Sequence, residues 1–233
     1  RLVETLIDAG LPKGVVNIVF GFGPEAGGPL VEHPDVDAIS FTGSSEIGRN
    51  VGRNAAASLK PCSLEMGGKN AMIVMDDANL DLALDGVLWG AFGTTGQRCT
   101  ATSRLIIHRK VHDRFVARVA EAAAKLRLGD GRKAGTDVGP LIHEAARDKV
   151  ERYVEIGRSE GLELVTGGKR PAGAGTADGW FYRPTIFTGA GARSRLAQEE
   201  ILGPVLTVSP VGSLDDAIRV NNAVKYGLSS SLY

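Results

Sequence analysis

The residue in this sequence best placed to do chemistry is a lone thiol in a polar, turn-forming stretch. It is Cys99, in Thr-Thr-Gly-Gln-Arg-Cys-Thr-Ala at 94–101. Gly96 and Thr100 favour an open backbone there. Arg98, if turned inward, would favour the thiolate, which is the form that attacks an electrophilic carbon. The competing reading is an inert, buried small residue, the usual lot of a free cysteine. Cys62, in Lys-Pro-Cys-Ser-Leu-Glu, fits that description, with no acid–base company nearby.

Three further stretches carry candidate chemistry, each with a plainer alternative. In Leu-Glu-Met-Gly-Gly-Lys-Asn, Glu65 lies among apolar residues just before two glycines. A carboxylate kept from water is a stronger base, suited to general base work; a strand-end glutamate facing solvent is the alternative. In Ser-Phe-Thr-Gly-Ser-Ser-Glu-Ile-Gly, a strand runs through Gly43 into Ser44 at a helix start. Free N–H groups and the positive end of the helix dipole there suit a phosphate, and a serine-capped turn is the alternative. In Ala-Gln-Glu-Glu-Ile-Leu-Gly-Pro, Glu199 and Glu200 precede a strand. Adjacent residues of an extended segment face opposite ways, so only one of them reaches any one site; both could equally be solvated. The four histidines sit at helix or strand ends typical of the surface, and none pairs with a cysteine at metal-ligand spacing, so no metal site is expected.

The elements that must position these residues alternate between strand-like and helix-like patterns, which implies an α/β fold with parallel strands. Strands are expected at 15–21, 37–43 and 63–77, the last broken at Gly67-Gly68. Others follow at Ser-Arg-Leu-Ile-Ile-His-Arg and Leu-Thr-Val-Ser-Pro-Val-Gly. Residues 24–33 read as a weak helix, and 44–58 as a helix with Ile47, Val51 and Ala55 on one stripe. Residues 80–93 are apolar on nearly every side, so a buried helix is expected. Later helices should turn Phe115, Val119, Ala122 and Leu126 inward, then Val150, Tyr153, Val154 and Gly157. Residues 129–140 and 171–179 read as loops, and Ser213 with Asp216 as a capping box.

Composition fits a soluble globular protein: 43% of residues are hydrophobic and 23% charged. Acidic and basic residues number 27 each, so no net field argues for nucleic acid or an anionic membrane. Two cysteines make no disulfide framework, and a cytoplasmic location is expected. The chain opens on Arg1 inside an amphipathic pattern and stops inside an apparent strand, which reads as an excised piece of about one large or two small domains.

Four of these stretches, Phe-Thr-Gly-Ser-Ser-Glu-Ile-Gly, Leu-Glu-Met-Gly-Gly-Lys-Asn, Gly-Gln-Arg-Cys-Thr and Glu-Glu-Ile-Leu-Gly-Pro-Val, occur in the order and at the approximate spacings of the aldehyde dehydrogenase superfamily. The chain resembles roughly the middle half of an intact member over its entire length. Gly-Thr-Thr-Gly-Gln-Arg-Cys-Thr-Ala-Thr-Ser-Arg-Leu and the last residues look closest to branches that oxidise aminoadipate or oxoglutarate semialdehyde.

The resemblance implies a Rossmann-like half domain over 1–65 and an α/β catalytic domain over 66–233, truncated at its C-terminus. It makes Cys99 the nucleophile and Glu65 the general base. Ser44 would contact the pyrophosphate of NAD or NADP, and Thr42, Gly43 and Gly67 would line the nicotinamide side. Glu200 would bind the nicotinamide ribose, with Leu202 replacing a frequent phenylalanine. The implied reaction oxidises an aldehyde to a carboxylic acid through a thiohemiacetal and a thioester that Glu65-activated water hydrolyses. Family members that pass the acyl group to coenzyme A commonly lack that glutamate. An asparagine of the oxyanion hole and a lysine for the adenosine ribose would precede Arg1. A substrate loop and a strand mediating subunit exchange would follow Tyr233. The expected partners are a small aldehyde and further copies of the chain in a homo-oligomer. The rival readings are a fragment serving as a structural or interaction module, and a cofactor-independent thiol esterase.

Overall fold

The interrupted strand of residues 63–77 proves to be two strands in two different sheets. The structure, a computed structural model, describes residues 1–233 except Ala174 and Ala177, so that part of the loop expected at 171–179 lies outside the described residues. The chain divides into two compact units, Arg1–Met66 and Gly67–Tyr233.

The first unit runs through α1 (Leu2–Asp8), one wide helical turn (Gly23–Gly27), α2 (Gly28–Glu32), β1 (Ile39–Thr42), α3 (Ser45–Ala57) and β2 (Cys62–Glu65). β1 and β2 pair in parallel from Ile39↔Cys62 to Thr42↔Glu65. Parallel neighbours need a crossover, and α3 supplies it. Ser44 caps α3, its hydroxyl accepting from the Ile47 N–H at 3.2 Å. The buried side of α3 is Gly48, Val51 and Ala55, whereas Ile47, expected on that stripe, is 49% exposed. Gly48 is chosen by space: a Cβ there would lie 2.6 Å from the Met66 sulfur.

No strand forms at 15–21, where one was expected. Val15, Val16, Ile18, Val19 and Phe20 are all exposed. A β-branched run becomes a strand only when a ladder satisfies its backbone. Among the described residues none supplies one: the sheet of this unit holds β1 and β2 alone.

The second unit contains β3 (Asn70–Val74), α4 (Leu80–Phe92), β4 (Thr102–His108), α5 (His112–Lys125), α6 (Glu144–Ser159), β5 (Glu163–Thr166), β6 (Thr185–Thr188), α7 (Arg195–Gln198), β7 (Val205–Val211), α8 (Leu214–Asn222) and β8 (Ser230–Leu232). Its sheet has the order β5-β6-β7-β4-β3-β8. Every adjacent pair is parallel except β5–β6. The α/β class with parallel strands therefore holds.

Both faces of β3 and β4 are covered, which is why they read as unbroken apolar runs. Met72, Val74, Leu105 and Ile107 pack with Val87 of α4 and Phe115 and Val119 of α5. Ala71, Ile73 and Ile106 pack with Val211 and Ala217 of α8. A separate cluster joins Val150 and Val154 of α6 to Phe187 and Leu196.

Three expectations here need correction. α4 is buried on one side only, through Ala83, Val87, Ala91 and Phe92, while Leu82 and Trp89 are exposed. In α5, Val116 and Ala123 are buried, and Ala122 and Leu126 only half so, because the inward stripe is rotated by a residue. His108 is not a surface residue: β4 carries it into the interior, where its Nε2 lies 3.1 Å from the Gly212 carbonyl. The cap at Ser213 is present, its hydroxyl accepting from the Asp216 N–H at 3.2 Å.

Candidate active site

The segment bearing Cys99 leaves the C-terminus of α4 through a tight turn, Gly93–Gly96. Thr94, Thr95 and Gly96 are all left-handed, at φ 54°, 60° and 63°. Two successive threonines there are costly, roughly 1–2 kcal/mol each, because Cβ crowds the carbonyl. Strain of this kind gathers where a loop is held for function. The Thr95 hydroxyl donates to the Gly139 carbonyl at 3.0 Å, and Gln97 is tied to Pro140 and Ile142. Asn70, opening β3, donates from Nδ2 to the Cys99 carbonyl at 2.7 Å and to that of Ala101 at 3.1 Å. The backbone of Cys99 is thus held from beneath while its side chain is exposed.

Arg98 does not act as the sequence suggested. Its guanidinium stacks 5.0 Å from the Trp89 ring centroid and donates to the Trp89 carbonyl at 3.4 Å. Cys62 departs from its reading too: it is exposed in β2, not a buried core residue. Its side chain stands on a face of the two-stranded sheet that no described residue covers.

Of the paired acids, each takes a different direction. Glu199 accepts from Arg195 at 2.8 Å and 3.0 Å and from the Tyr153 hydroxyl at 2.6 Å. Those bonds pull its carboxyl down to about 2. Burial, then the bond to Glu199, pushes the Tyr153 phenol up to about 12. Glu200 turns the other way and accepts the Gly68 N–H on Oε1 at 3.0 Å. Its second oxygen lies against Gly67, where a Cβ would come within 2.2 Å of Oε2. Gly67 thus makes room for the Glu200 carboxylate, whereas a Cβ at Gly68 would lie 2.8 Å from the Cys99 carbonyl oxygen and from Asn70 Oδ1. Gly68, Cys99, Glu200 and Leu202 line one small cavity of about 20 Å³. Leu202 adopts φ 57°, another left-handed non-glycine residue at this place. A groove of about 800 Å³ leads on from Leu202 past Gln97, Leu141, Ala146 and Lys149. Burial lowers the Lys149 ammonium.

The remaining candidates meet in the first unit. Thr42 pairs with Glu65, and the Gly43 N–H donates to the Glu65 carbonyl at 3.0 Å. Ser44 follows directly as the cap of α3. Thr42, Gly43, Ser44 and Glu65 therefore share the C-terminal end of the β1–β2 ribbon, the end where open parallel sheets bind ligands. Glu65 is exposed there, so the apolar surroundings read from its sequence neighbours are absent in this unit.

Sequence reasoning missed Asn70, Lys69 and Arg104. Asn70 and Arg104 are buried polar residues in apolar strands, a signal that periodicity alone does not weigh. Lys69 is 1% exposed.

An α/β unit with a parallel sheet thus presents an exposed thiol on a constrained loop, with a carboxylate seated against glycine in the same cavity wall. The model of the aldehyde dehydrogenase family matches residues 1–233, and the chain belongs to that family. It is 44% identical over 233 residues to betaine aldehyde dehydrogenase of Bacillus subtilis (strain 168), covering 100% of this chain and 48% of the relative. It is 39% identical to α-ketoglutaric semialdehyde dehydrogenase of the same organism, again over 100% of this chain and 48% of the relative. The crystal structure of betaine aldehyde dehydrogenase from Staphylococcus aureus in complex with NAD+ superposes with a TM-score of 0.96 at 37% identity, over 100% of this chain and 46% of that one. The chain spans about half the length of the curated relatives it matches. No helix among the described residues is long and apolar enough to cross a membrane.

Proposed function

We propose that the intact protein oxidises an aldehyde to its carboxylic acid with NAD or NADP, with Cys99 as nucleophile. The observation carrying this is the exposed Cys99 side chain on a left-handed loop whose backbone Asn70 clamps, lining one cavity with Glu200. The residues fit the cofactor: Gly67 lets the Glu200 carboxylate seat against the backbone, and Glu200, giving only Oε1 to the Gly68 N–H, keeps Oε2 for ribose hydroxyls. Ser44, at the start of α3, would take the pyrophosphate, with Thr42, Gly43 and Gly67 lining the nicotinamide side and Leu202 beside Glu200.

The thiolate adds to the aldehyde carbon, and the carbonyl oxygen takes the electron pair. A nicotinamide held against Thr42, Gly43 and Gly67 would supply the acceptor for the hydride that this carbon loses. Cys99 then holds the acyl group as a thioester. Glu65 takes a proton from the attacking water, and the acid departs as the thiolate is restored. The Glu65 role rests on its place in the family motif, and with it the preference for hydrolysis over transfer to coenzyme A.

The test is NADH formation by the intact enzyme, with betaine aldehyde and α-ketoglutaric semialdehyde as parallel substrates. Cys99→Ser should lower kcat by about a thousandfold or more, as loss of a nucleophile does, and Cys62→Ser should not. Glu65→Gln should keep the first burst of NADH but slow the steady state roughly a hundredfold. Wild-type rates in Cys99→Ser would remove the assignment. The exposed thiol also favours esterase activity without cofactor, which p-nitrophenyl acetate would report.

A further inference from the structure

We infer that a second cavity, at the start of β3 and β4 and the loop leading to β8, binds a small oxyanion on the Lys69 ammonium. The cavity is about 350 Å³, and Lys69, Asn70, Arg104, Asn222, Tyr226 and Ser230 are among the residues that line it. Among the described residues no aspartate or glutamate lines it.

Two buried cations lie there, and among the described residues neither is hydrogen-bonded to a carboxylate. Lys69 is 1% exposed, and its Nζ has no hydrogen-bond partner among the described residues. Arg104 is 4% exposed and is held by three carbonyls: Nε donates to Lys69 at 2.8 Å, Nη1 to Val220 and Nη2 to Asn221, both at 2.9 Å. Carbonyl oxygens satisfy the guanidinium's geometry but leave its charge uncompensated. Buried charges are ordinarily paired, and an unpartnered ammonium on a residue in the wall of a polar cavity is a place for an anion to bind. The hydroxyls of Tyr226 and Ser230 and the amide of Asn222 are further donors in the same wall.

The nearest acids do not fill the role. Glu199 and Glu200, on the approach to β7, both act on Lys69, yet Glu199 is bound by Arg195 and Tyr153 and Glu200 by the Gly68 N–H. Burial first, then Arg104 of β4, with a smaller push from Lys149 of α6, lowers the Lys69 ammonium to about 7. An oxyanion stabilises the protonated form. Its affinity is therefore greatest below the lysine's own value and falls as the pH rises through it. Asn70, which lines the cavity, also holds the Cys99 carbonyl, so the site borders the thiol loop.

The test is calorimetric titration of this chain with sulfate and, separately, acetate, against chloride at matched ionic strength. Both probes keep a fixed charge between about pH 6.5 and about pH 8.5, so any change between these values belongs to the protein. Saturable binding of sulfate points to a phosphate- or sulfate-bearing ligand, and binding of acetate to a carboxylate. Either should weaken roughly twentyfold at the higher pH, following the loss of one proton from a group near 7. Lys69→Gln should abolish the binding, and Ser230→Ala, at the mouth of an edge strand, should weaken it severalfold. Should Lys69→Gln fail to fold, the pH response of the wild type and of Lys69→Arg decides: the arginine keeps its charge and should lose the pH response. Binding no tighter than chloride, or unchanged between the two pH values, overturns the inference. No readout depends on dehydrogenase turnover.

Discussion

A methyl group at Gly67 would lie 2.2 Å from Oε2 of Glu200, inside any permissible contact. The obstacle is the far end of a flexible side chain, so Gly67→Ala should cost little stability: Glu200 swings away and the Gly68 N–H loses its partner. If Glu200 serves the cofactor, KM for NAD in the intact enzyme should rise about tenfold, the worth of one charge-assisted hydrogen bond, with Tm nearly unchanged. An unaltered KM would separate Glu200 from the cofactor. At this scale the sequence was partly legible. Alternation alone sent Glu199 and Glu200 to opposite sides, and the structure agrees. It could not say that Arg98 would stack on Trp89, or that Cys62 would be exposed, because those depend on neighbours brought near by folding. Lys69 was invisible for the same reason, as a lysine in a glycine-rich stretch ordinarily reaches water.

At the scale of the element, Gly96 decides whether the thiol loop can form. It has φ 63°, and a Cβ there would lie 2.3 Å from the Gly203 carbonyl oxygen. Here the clash is with backbone, which cannot step aside as Glu200 can. Gly96→Ala should therefore destabilise the chain by about 2–3 kcal/mol, from left-handed strain and displacement of the 201–204 turn together. Thermal or urea unfolding would measure it, and a loss below about 0.5 kcal/mol, the range of a harmless surface change, would show the loop to be more pliable than its hydrogen bonds suggest. Gly67→Ala is the internal contrast: same substitution, opposite expectation for stability. The long amphipathic helices and doubly covered strands were readable, since burial on one face or both leaves a periodic trace. The run at 15–21 was not, because a strand is a property of a pair and its sequence shows only one member. The break at Gly67-Gly68 was seen, yet its meaning was larger than a bulge: β2 and β3 belong to different sheets.

For the whole molecule, the governing fact is length: relatives are about twice as long as these 233 residues. The family resemblance would put an oxyanion-hole asparagine and an adenosine-ribose lysine outside the stretch that these residues match. In the first unit, Val15, Ile18, Val19, Phe20 and Phe22 are exposed along one segment, with Phe20 at 90%. An apolar run of that kind seeks cover. This chain by itself should accordingly self-associate, and sedimentation should show mass rising with concentration. Val19→Glu with Phe20→Glu should shift it toward the monomer, since like charges on a would-be contact repel and both positions are free of core packing. Cofactor binding should be weak alongside. Each absent charge-assisted contact is worth about 1.5–3 kcal/mol, so affinity should fall by an order of magnitude or more per contact. Titration of the charge-bearing variant with NAD separates the two effects. If that variant is monomeric and still binds NAD weakly, the missing contacts are responsible. Micromolar binding by a clean monomer would mean that Ser44, Glu200 and their neighbours suffice to hold the dinucleotide.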